Sequence, residues 1–143
     1  MRALLDVNVW IALLDDNHVF AVRCNEWIAR ERPAIATCPI IENGVIRVMS
    51  SAGYSARFKA SAADVAGLLG KACTNNDHAF WPDNLTFRNE RLFDVARLHG
   101  PRQITDAYLL ALAVANGGRF VTLDAAIPLS PVRGAAKDHL VVL

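Results

Sequence analysis

Four acidic residues stand at positions where the chain leaves a predicted strand or enters a predicted helix: Asp6, Glu42, Asp106 and Asp124. Carboxylates that gather at one point repel each other and lose hydration, so they require a counter-charge. Mg²⁺ prefers such hard oxygen ligands and commonly bridges protein carboxylates to a substrate phosphate. If the four residues converge, the chemistry that they support is metal-assisted hydrolysis of a phosphodiester bond, with one or two ions.

Short apolar segments alternate with segments of helical periodicity, an order that is typical of α/β proteins with a parallel sheet. The predicted strands cover residues 3–5, 34–37, 78–81, 119–122 and 140–142. The predicted helices cover residues 8–14, 20–32, 39 to about 50, 61 to about 75, 90–98 and 104–116. We expect an α/β fold, a three-layer α/β/α sandwich with a central parallel sheet of about five strands. We expect one domain over residues 1–143.

The carboxyl ends of parallel strands meet at one edge of a sheet, and ligands bind there. Asp6 directly follows the first strand, and Asp124 follows the fourth strand after one residue. Glu42 and Asp106 lie in the first turns of helices, and a crossover helix begins at this same edge. The predicted topology therefore places all four acidic side chains at one edge of the sheet.

Helical periodicity aligns Glu42 with Ile46, and Asp106 with Leu110, so both carboxylates extend the apolar side of their helices. We expect both to point inward. Each acidic residue also has an ordinary explanation: a turn after a strand, a first turn that the helix dipole favours, or a helix cap. These alternatives stay open at this point.

Composition narrows the class of protein. A hydrophobic content of 53% argues against disorder, and the net charge of +1 lacks the strong positive excess of many nucleic-acid binders. The apolar segments are too short to span a bilayer, and the start of the chain does not resemble a secretory signal, so we expect a cytoplasmic protein with no membrane contact. Basic residues in the middle of the chain could form a phosphate-binding patch or a solvated surface: Arg47, Arg57, Lys59, Arg88, Arg91, Arg97 and Arg102.

Cysteines and histidines suggest no further site. The three cysteines, Cys24, Cys38 and Cys73, are odd in number and form no Cys-x-x-Cys pair, so we expect buried thiols and neither a disulfide framework nor a zinc site. The four histidines form no pair with metal-ligand spacing.

Four segments resemble, in their order and spacing, the PIN domain family, and specifically the VapC-type toxin ribonucleases of bacterial toxin–antitoxin modules. A fifth segment, Phe80-Trp81-Pro82, resembles one branch of that family. The four segments are Leu4-Leu5-Asp6-Val7-Asn8-Val9-Trp10, Ile41-Glu42-Asn43-Gly44, Thr105-Asp106-Ala107-Tyr108-Leu109-Leu110 and Phe120-Val121-Thr122-Leu123-Asp124.

The resemblance implies a PIN-like fold, an Mg²⁺- or Mn²⁺-dependent endoribonuclease activity and homodimerisation. It implies structured RNA, such as transfer or ribosomal RNA, as substrate. It also implies a cognate antitoxin protein whose tail blocks the acidic pocket. By position, the family's catalytic and metal-binding quartet corresponds to Asp6, Glu42, Asp106 and Asp124, and two supporting positions correspond to Asn8 and Thr122.

Two alternatives remain open. The same pocket could serve a metal-dependent nuclease or phosphatase that acts on another substrate, such as DNA. A haloacid-dehalogenase phosphatase is disfavoured, because it needs an aspartate two residues after its nucleophile and Asn8 stands there. A non-catalytic binding module with the PIN fold would be indicated by a degraded acidic set, whereas this set is complete.

Overall fold

Five short strands form one sheet at the centre of the computed structural model, which describes all residues from Met1 to Leu143. The order of the strands is β3-β2-β1-β4-β5, and every neighbouring pair is parallel. β1 therefore lies between β2 and β4. The strands are β1 (Ala3–Leu5), β2 (Ile35–Thr37), β3 (His78–Phe80), β4 (Arg119–Thr122) and β5 (Leu140–Val142).

Helices cover both faces of the sheet, and the predicted three-layer α/β/α sandwich is confirmed. The helices are α1 (Val7–Leu14), α2 (Ala21–Glu31), α3 (Pro39–Met49), α4 (Ala62–Thr74) and α5 (Ile104–Ala115). α1 packs against α2 and α3, and α3 packs against α4, whereas α5 packs on β1 and β4. No helix combines the length and the apolar character needed to cross a bilayer.

Side-chain alternation along the strands divides the core into two layers. Leu5 and Ile35 line a small cavity of about 170 Å³ together with residues of α1, α2 and α4. Successive residues of a strand point to opposite faces, so Leu4 and Phe120, both fully buried, pack on the α5 side. The same alternation decides which face each polar residue at the strand ends can reach.

Local sequence signals explain where the helices on the first face begin. Pro39 occupies the first turn of α3, where its missing amide hydrogen costs nothing. Ser61 caps α4, and its hydroxyl and the carboxylate of Asp64 each accept a backbone amide of the other residue. Cys24 and Cys38 are buried and Cys73 is partly buried, all as free thiols.

The predicted helix over residues 90–98 is wrong. Phe93 forms an isolated antiparallel bridge with Val132, and the amide of Asp94 donates to the carbonyl of Pro131. Only a short 3₁₀ turn, Val95–Arg97, is present in this segment. The backbone of the segment bonds to a distant part of the chain because the ring of Phe93 is buried in contact with Tyr108 of α5. Tertiary packing therefore overrides the local helical pattern.

Candidate active site

Asp6 follows β1 and caps α1 at the carboxyl edge of the sheet. Its Oδ1 accepts a hydrogen bond of 2.7 Å from the amide of Val7, and its Oδ2 accepts one of 2.8 Å from the hydroxyl of Thr122. The amide of Asp6 donates to the carbonyl of Val121, so Asp6 continues the parallel ladder between β1 and β4 and lies level with Thr122. Both side chains consequently lie on the α5 side of the sheet.

Asp106 lies in the first turn of α5, on that same side. Partial burial raises its pKa to about 6, and the negative charges of Asp6 and Asp124 add to the shift. Burial also raises the pKa of Asp6, and the charge of Asp124 contributes there as well, against the hydrogen bonds from Thr122 and Val7. Three carboxylates from β1, α5 and the end of β4 are therefore close enough to act on one another's ionisation.

Asp124 is exposed in the turn after β4. Its amide donates to the hydroxyl of Thr122 over 3.1 Å, and its Oδ1 accepts the amide of Ala126 over 2.7 Å. Thr122 thus contacts the carboxylate of Asp6 and the backbone of Asp124 at once. Asn8, the other residue that the resemblance marks as supporting, lines a cleft beside Asp124.

Glu42 is not brought together with the three aspartates. Its Oε1 accepts a hydrogen bond of 2.6 Å from the hydroxyl of Thr37 at the end of β2. In the sheet register Thr37 is level with Leu5, which is the residue before Asp6. Because side chains alternate along a strand, Thr37 faces the layer of α3 and α4, opposite to the side of Asp6. Glu42 lies in a cleft of about 190 Å³ on that side, with Cys73 and His78.

A short polar chain fixes the conformation of Glu42. The hydroxyl of Thr37 has one proton, which it donates to Glu42, so it accepts from Nε2 of His78 over 2.7 Å. Burial lowers the pKa of His78, although the charge of Glu42 opposes this effect. Burial and the charge of Glu42 both raise the pKa of the Cys73 thiol. Glu42 thus points inward as we expected, but it points toward this polar chain of Thr37 and His78 and not toward the three aspartates.

The three aspartates suit a hard divalent cation by their chemistry. All of their donors are carboxylate oxygens, which Mg²⁺ and Mn²⁺ prefer, and their mutual repulsion is the penalty that such a cation relieves. No three side chains of His, Cys, Asp or Glu are arranged at metal-ligand distances in this structure. Mg²⁺ usually keeps several of its waters and is held by one or two carboxylates, so this open arrangement is compatible with it.

Asp83 is an acidic residue at this end of the fold that the sequence did not single out. Its Oδ2 accepts the amide of Ile40 in the first turn of α3 over 3.2 Å, and its Oδ1 is buried without a hydrogen-bond partner. The pKa of Cys38 is raised to about 12, mainly by burial and in part by Asp83. The sequence feature that could have indicated Asp83 is its position after Trp81 and Pro82, where a strand ends and the chain turns.

The basic residues of the middle of the chain are all exposed on the surface. One of them, Arg97, forms an ion pair with Asp94 over 3.0 Å. Such exposed residues can be a solvated surface as readily as a phosphate-binding patch.

Comparison with known proteins defines the class to which this arrangement belongs. Residues 3–129 match the PIN domain family. The chain therefore belongs to the PIN domain family, in its VapC-type branch, as the resemblance of the four segments predicted.

Particular relatives are similar over most or all of their length. Ribonuclease VapC44 of Mycobacterium tuberculosis is 46% identical over 144 residues, which cover 100% of both chains. Ribonuclease VapC29 of the same organism is 39% identical over 127 residues, which cover 89% of each chain.

Two solved structures share the fold at low sequence identity. The crystal structure of Mycobacterium tuberculosis VapC20, a Sarcin-Ricin loop cleaving toxin, has a TM-score of 0.54 at 12% identity and covers 82% of this chain and 85% of its own. VapBC2 from Rickettsia felis, bound to a DNA fragment from their promoter, has a TM-score of 0.53 at 14% identity and covers 100% of this chain and 98% of its own.

Proposed function

We propose that this chain is a divalent-metal-dependent endoribonuclease and the toxin of a toxin–antitoxin pair. The observation that carries the proposal is the position of Asp6, Asp106 and Asp124 at the carboxyl edge of the sheet, where Thr122 bonds to both Asp6 and Asp124 and Asp106 lies in the first turn of the helix on the same side. The relatives that match the whole chain are named ribonucleases, which favours RNA as the substrate. VapC20, described as a toxin that cleaves the Sarcin-Ricin loop, favours a structured RNA.

In this proposal the three aspartates hold Mg²⁺ or Mn²⁺. The cation would activate water and neutralise the charge that develops on the phosphate. Thr122 orients the carboxylate of Asp6 through its hydroxyl, and the Val7 amide fixes the other oxygen of the same carboxylate. Asp124, tied to Thr122 by its amide, presents a carboxylate to the solvent side of the site.

Glu42 completes the acidic quartet in the resemblance, and we propose that it supports the site from the neighbouring layer. Its hydrogen bond to Thr37 holds it at the carboxyl end of β2, next to β1. From this position Glu42 would act indirectly, through the residues at the end of β2, while direct ligation would fall to the aspartates.

Cleavage of RNA by purified protein tests the proposal. Total cellular RNA and, in parallel, total cellular DNA are incubated with EDTA, Mg²⁺ or Mn²⁺. We expect RNA to be cut only with a divalent cation and faster than DNA, and we expect Asp6→Asn and Asp106→Asn each to abolish cutting while circular dichroism shows the fold intact. Metal-dependent cutting that persists in both variants contradicts the assignment of roles.

The remaining outcomes separate the alternatives. DNA cut as fast as RNA would favour a nuclease with another substrate. Calorimetry that detects no binding of Mg²⁺ or Mn²⁺ near millimolar concentrations would favour a binding module without catalysis. Mapping the cleavage sites on cellular RNA would then identify the substrate of an active protein.

The proposal also includes an antitoxin partner and a homodimer in the cytoplasm. VapBC2 from Rickettsia felis is a complex with promoter DNA, which favours an antitoxin encoded beside this chain as well. Co-expression with the neighbouring gene product, followed by size-exclusion chromatography with light scattering, tests the partner and the dimer in one experiment.

A further inference from the structure

A cleft of about 400 Å³ opens beside Asp124, outside the acidic group itself. It is lined by Asn8, by Leu123 and Asp124 after β4, and by His18, Val19 and Phe20 of the connection between α1 and α2. Its volume falls within the range of small-molecule sites in proteins. The cleft contains both polar donors and an aromatic ring, as nucleotide-binding sites do.

The imidazole of His18 is held in one orientation. Its Nδ1 accepts a hydrogen bond of 3.2 Å from the amide of Phe20. In the neutral ring an accepting Nδ1 requires the proton on Nε2, so the ring can offer an Nε2–H donor to a ligand. A donor of this kind suits a carbonyl or ring nitrogen of a base, or a phosphate oxygen.

The ring of Phe20 adds an aromatic surface and a nearby cation. The guanidinium carbon of Arg23, in the first turn of α2, lies 5.4 Å from the centre of the Phe20 ring. Phe20 is partly exposed and Arg23 is exposed. Aromatic rings bind bases by stacking with little dependence on sequence, and an adjacent arginine attracts the backbone phosphates. A local arrangement of this type can bind RNA although the net charge of the chain is only +1.

We propose that this cleft binds one nucleotide of the RNA strand next to the scissile phosphate, with its base on Phe20 and its polar edge at His18. This inference rests on the proposed function, because it assumes that the aspartates receive the scissile phosphate. Asp124 belongs to both the acidic group and the cleft, so a strand that reaches the aspartates also passes the cleft that Phe20 lines. RNA is favoured over a protein segment as the occupant because half of the lining is polar and Arg23 supplies positive charge beside it.

Steady-state cleavage of a short RNA that contains one mapped cleavage site, with the secondary structure that this site has in the parent RNA, tests the proposal. Phe20→Ala should raise KM about tenfold with little change in kcat, as expected for the loss of one stacked base, and Phe20→Tyr should restore KM. Phe80→Ala is the matched control, because Phe80 is also exposed (52%) but lies on the edge strand β3, away from the cleft. His18→Ala should raise KM as well, with the fold checked by circular dichroism.

A second substrate isolates the base contact. The same oligonucleotide is made with an abasic nucleotide at each position next to the cleavage site. At one of these positions, the effects on KM of removing the base and of Phe20→Ala should be non-additive, because each change removes the same contact. If Phe20→Ala disturbs folding, Phe20→Leu keeps the apolar bulk and removes the aromatic face, and the same KM increase is expected.

The results distinguish a failure of the proposed function from a failure of the cleft proposal. No cutting by the unmodified protein counts against the proposed function itself. Normal cutting whose KM is unchanged by Phe20→Leu and His18→Ala overturns the nucleotide-binding cleft alone. The cleft proposal is also overturned if Phe20→Leu weakens binding of the antitoxin and leaves KM for RNA unchanged, since the cleft is then a protein-docking surface.

Discussion

The hydroxyl of Thr122 donates a hydrogen bond of 2.8 Å to Oδ2 of Asp6 and accepts one of 3.1 Å from the amide of Asp124. Thr122 is completely buried, and Asp6 follows the central strand of the sheet. One hydroxyl therefore sets the direction of a carboxylate on β1 and the path of the turn after β4. The acidic group depends on this pairing of two strands that are more than a hundred residues apart in the chain.

Thr122→Val removes this hydroxyl and keeps the shape of the side chain. We expect kcat for RNA cleavage to fall about 10- to 100-fold, the range seen when groups that orient metal ligands are lost. Thr122→Ser retains the hydroxyl and should keep most of the activity. Equal activity of the valine and serine variants in single-turnover assays would show that the hydrogen bond has no role in positioning Asp6.

Asp106→Asn should stabilise the protein in the absence of metal at neutral pH. The folded-state pKa of Asp106 is raised from 3.8 to about 6, so between these values the folded protein holds a proton that the unfolded chain releases. Stability is thus lost as the pH rises through that window and stays lower above it. Because Asp106 is partly solvated, solvent screening reduces the expected gain in the free energy of unfolding of Asp106→Asn to about 1 kcal/mol.

Urea unfolding with EDTA at a series of pH values from about 3.5 to about 8, which include both pKa values of Asp106, measures this effect. The comparison of the variant with the unmodified protein cancels groups such as His78, whose lowered pKa acts in the opposite direction. Added Mg²⁺ should raise the Tm of the unmodified protein more than that of Asp106→Asn. Identical pH profiles for the two proteins would argue against the raised pKa of Asp106.

Glu42→Gln should lower RNA cleavage less than Asp106→Asn does. Glu42 bonds to Thr37 on the opposite side of the sheet from Asp6, so we expect a partial loss of about tenfold, as for a residue that supports a site indirectly. Thr37→Val, which releases Glu42 from its donor, should change the dependence of the rate on Mg²⁺ concentration. Complete loss of activity in Glu42→Gln, with its fold intact, would place Glu42 among the direct ligands of the loaded site.

Gly44→Ala should destabilise the contact between α3 and α1. A Cβ atom at position 44 would lie 2.7 Å from Cγ2 of Val7, so the Val7 side chain or the helices themselves would have to shift. Overpacking of this kind costs about 1–3 kcal/mol. The double variant Val7→Ala with Gly44→Ala should recover part of the loss, because the clashing methyl group is gone.

Gly67→Ala in α4 is the matched control for this substitution. No atom lies within 4 Å of a Cβ at position 67, so the added methyl group meets only solvent. We expect a gain of up to about 1 kcal/mol from the higher helix propensity of alanine. Urea midpoints for all four proteins provide the comparison, and a destabilised Gly67→Ala would contradict the packing explanation for Gly44.

The order of strands and helices could be predicted because local signals and tertiary structure agree over most of the chain. Pro39 and Ser61 mark helix starts, and the apolar segments around Leu4 and Val121 have the length and burial of central strands. The segment around Phe93 was predicted incorrectly because its backbone partner, Val132, is distant in sequence, and no local pattern indicates that the two residues pair.

The candidate site could be predicted in part. The edge rule for parallel sheets placed Asp6, Asp106 and Asp124 near one another, and it depends only on element order. The same rule does not distinguish the two faces of the sheet at that edge, so it could not separate Glu42 from the aspartates. The cleft at His18 and Phe20 depends on the path of the connection between α1 and α2, which no periodicity describes.

The pairing of β1 with β4 also has a consequence during translation. Asp6 emerges from the ribosome more than a hundred residues before Thr122 and Asp124, and β1 can pair with β4 only afterwards. In a nascent chain that does not yet include β4, the carboxylates have not been brought together into one site. Under the proposed function, a growing polypeptide would be harmless to the RNA of the ribosome that makes it until β4 and Asp124 have emerged.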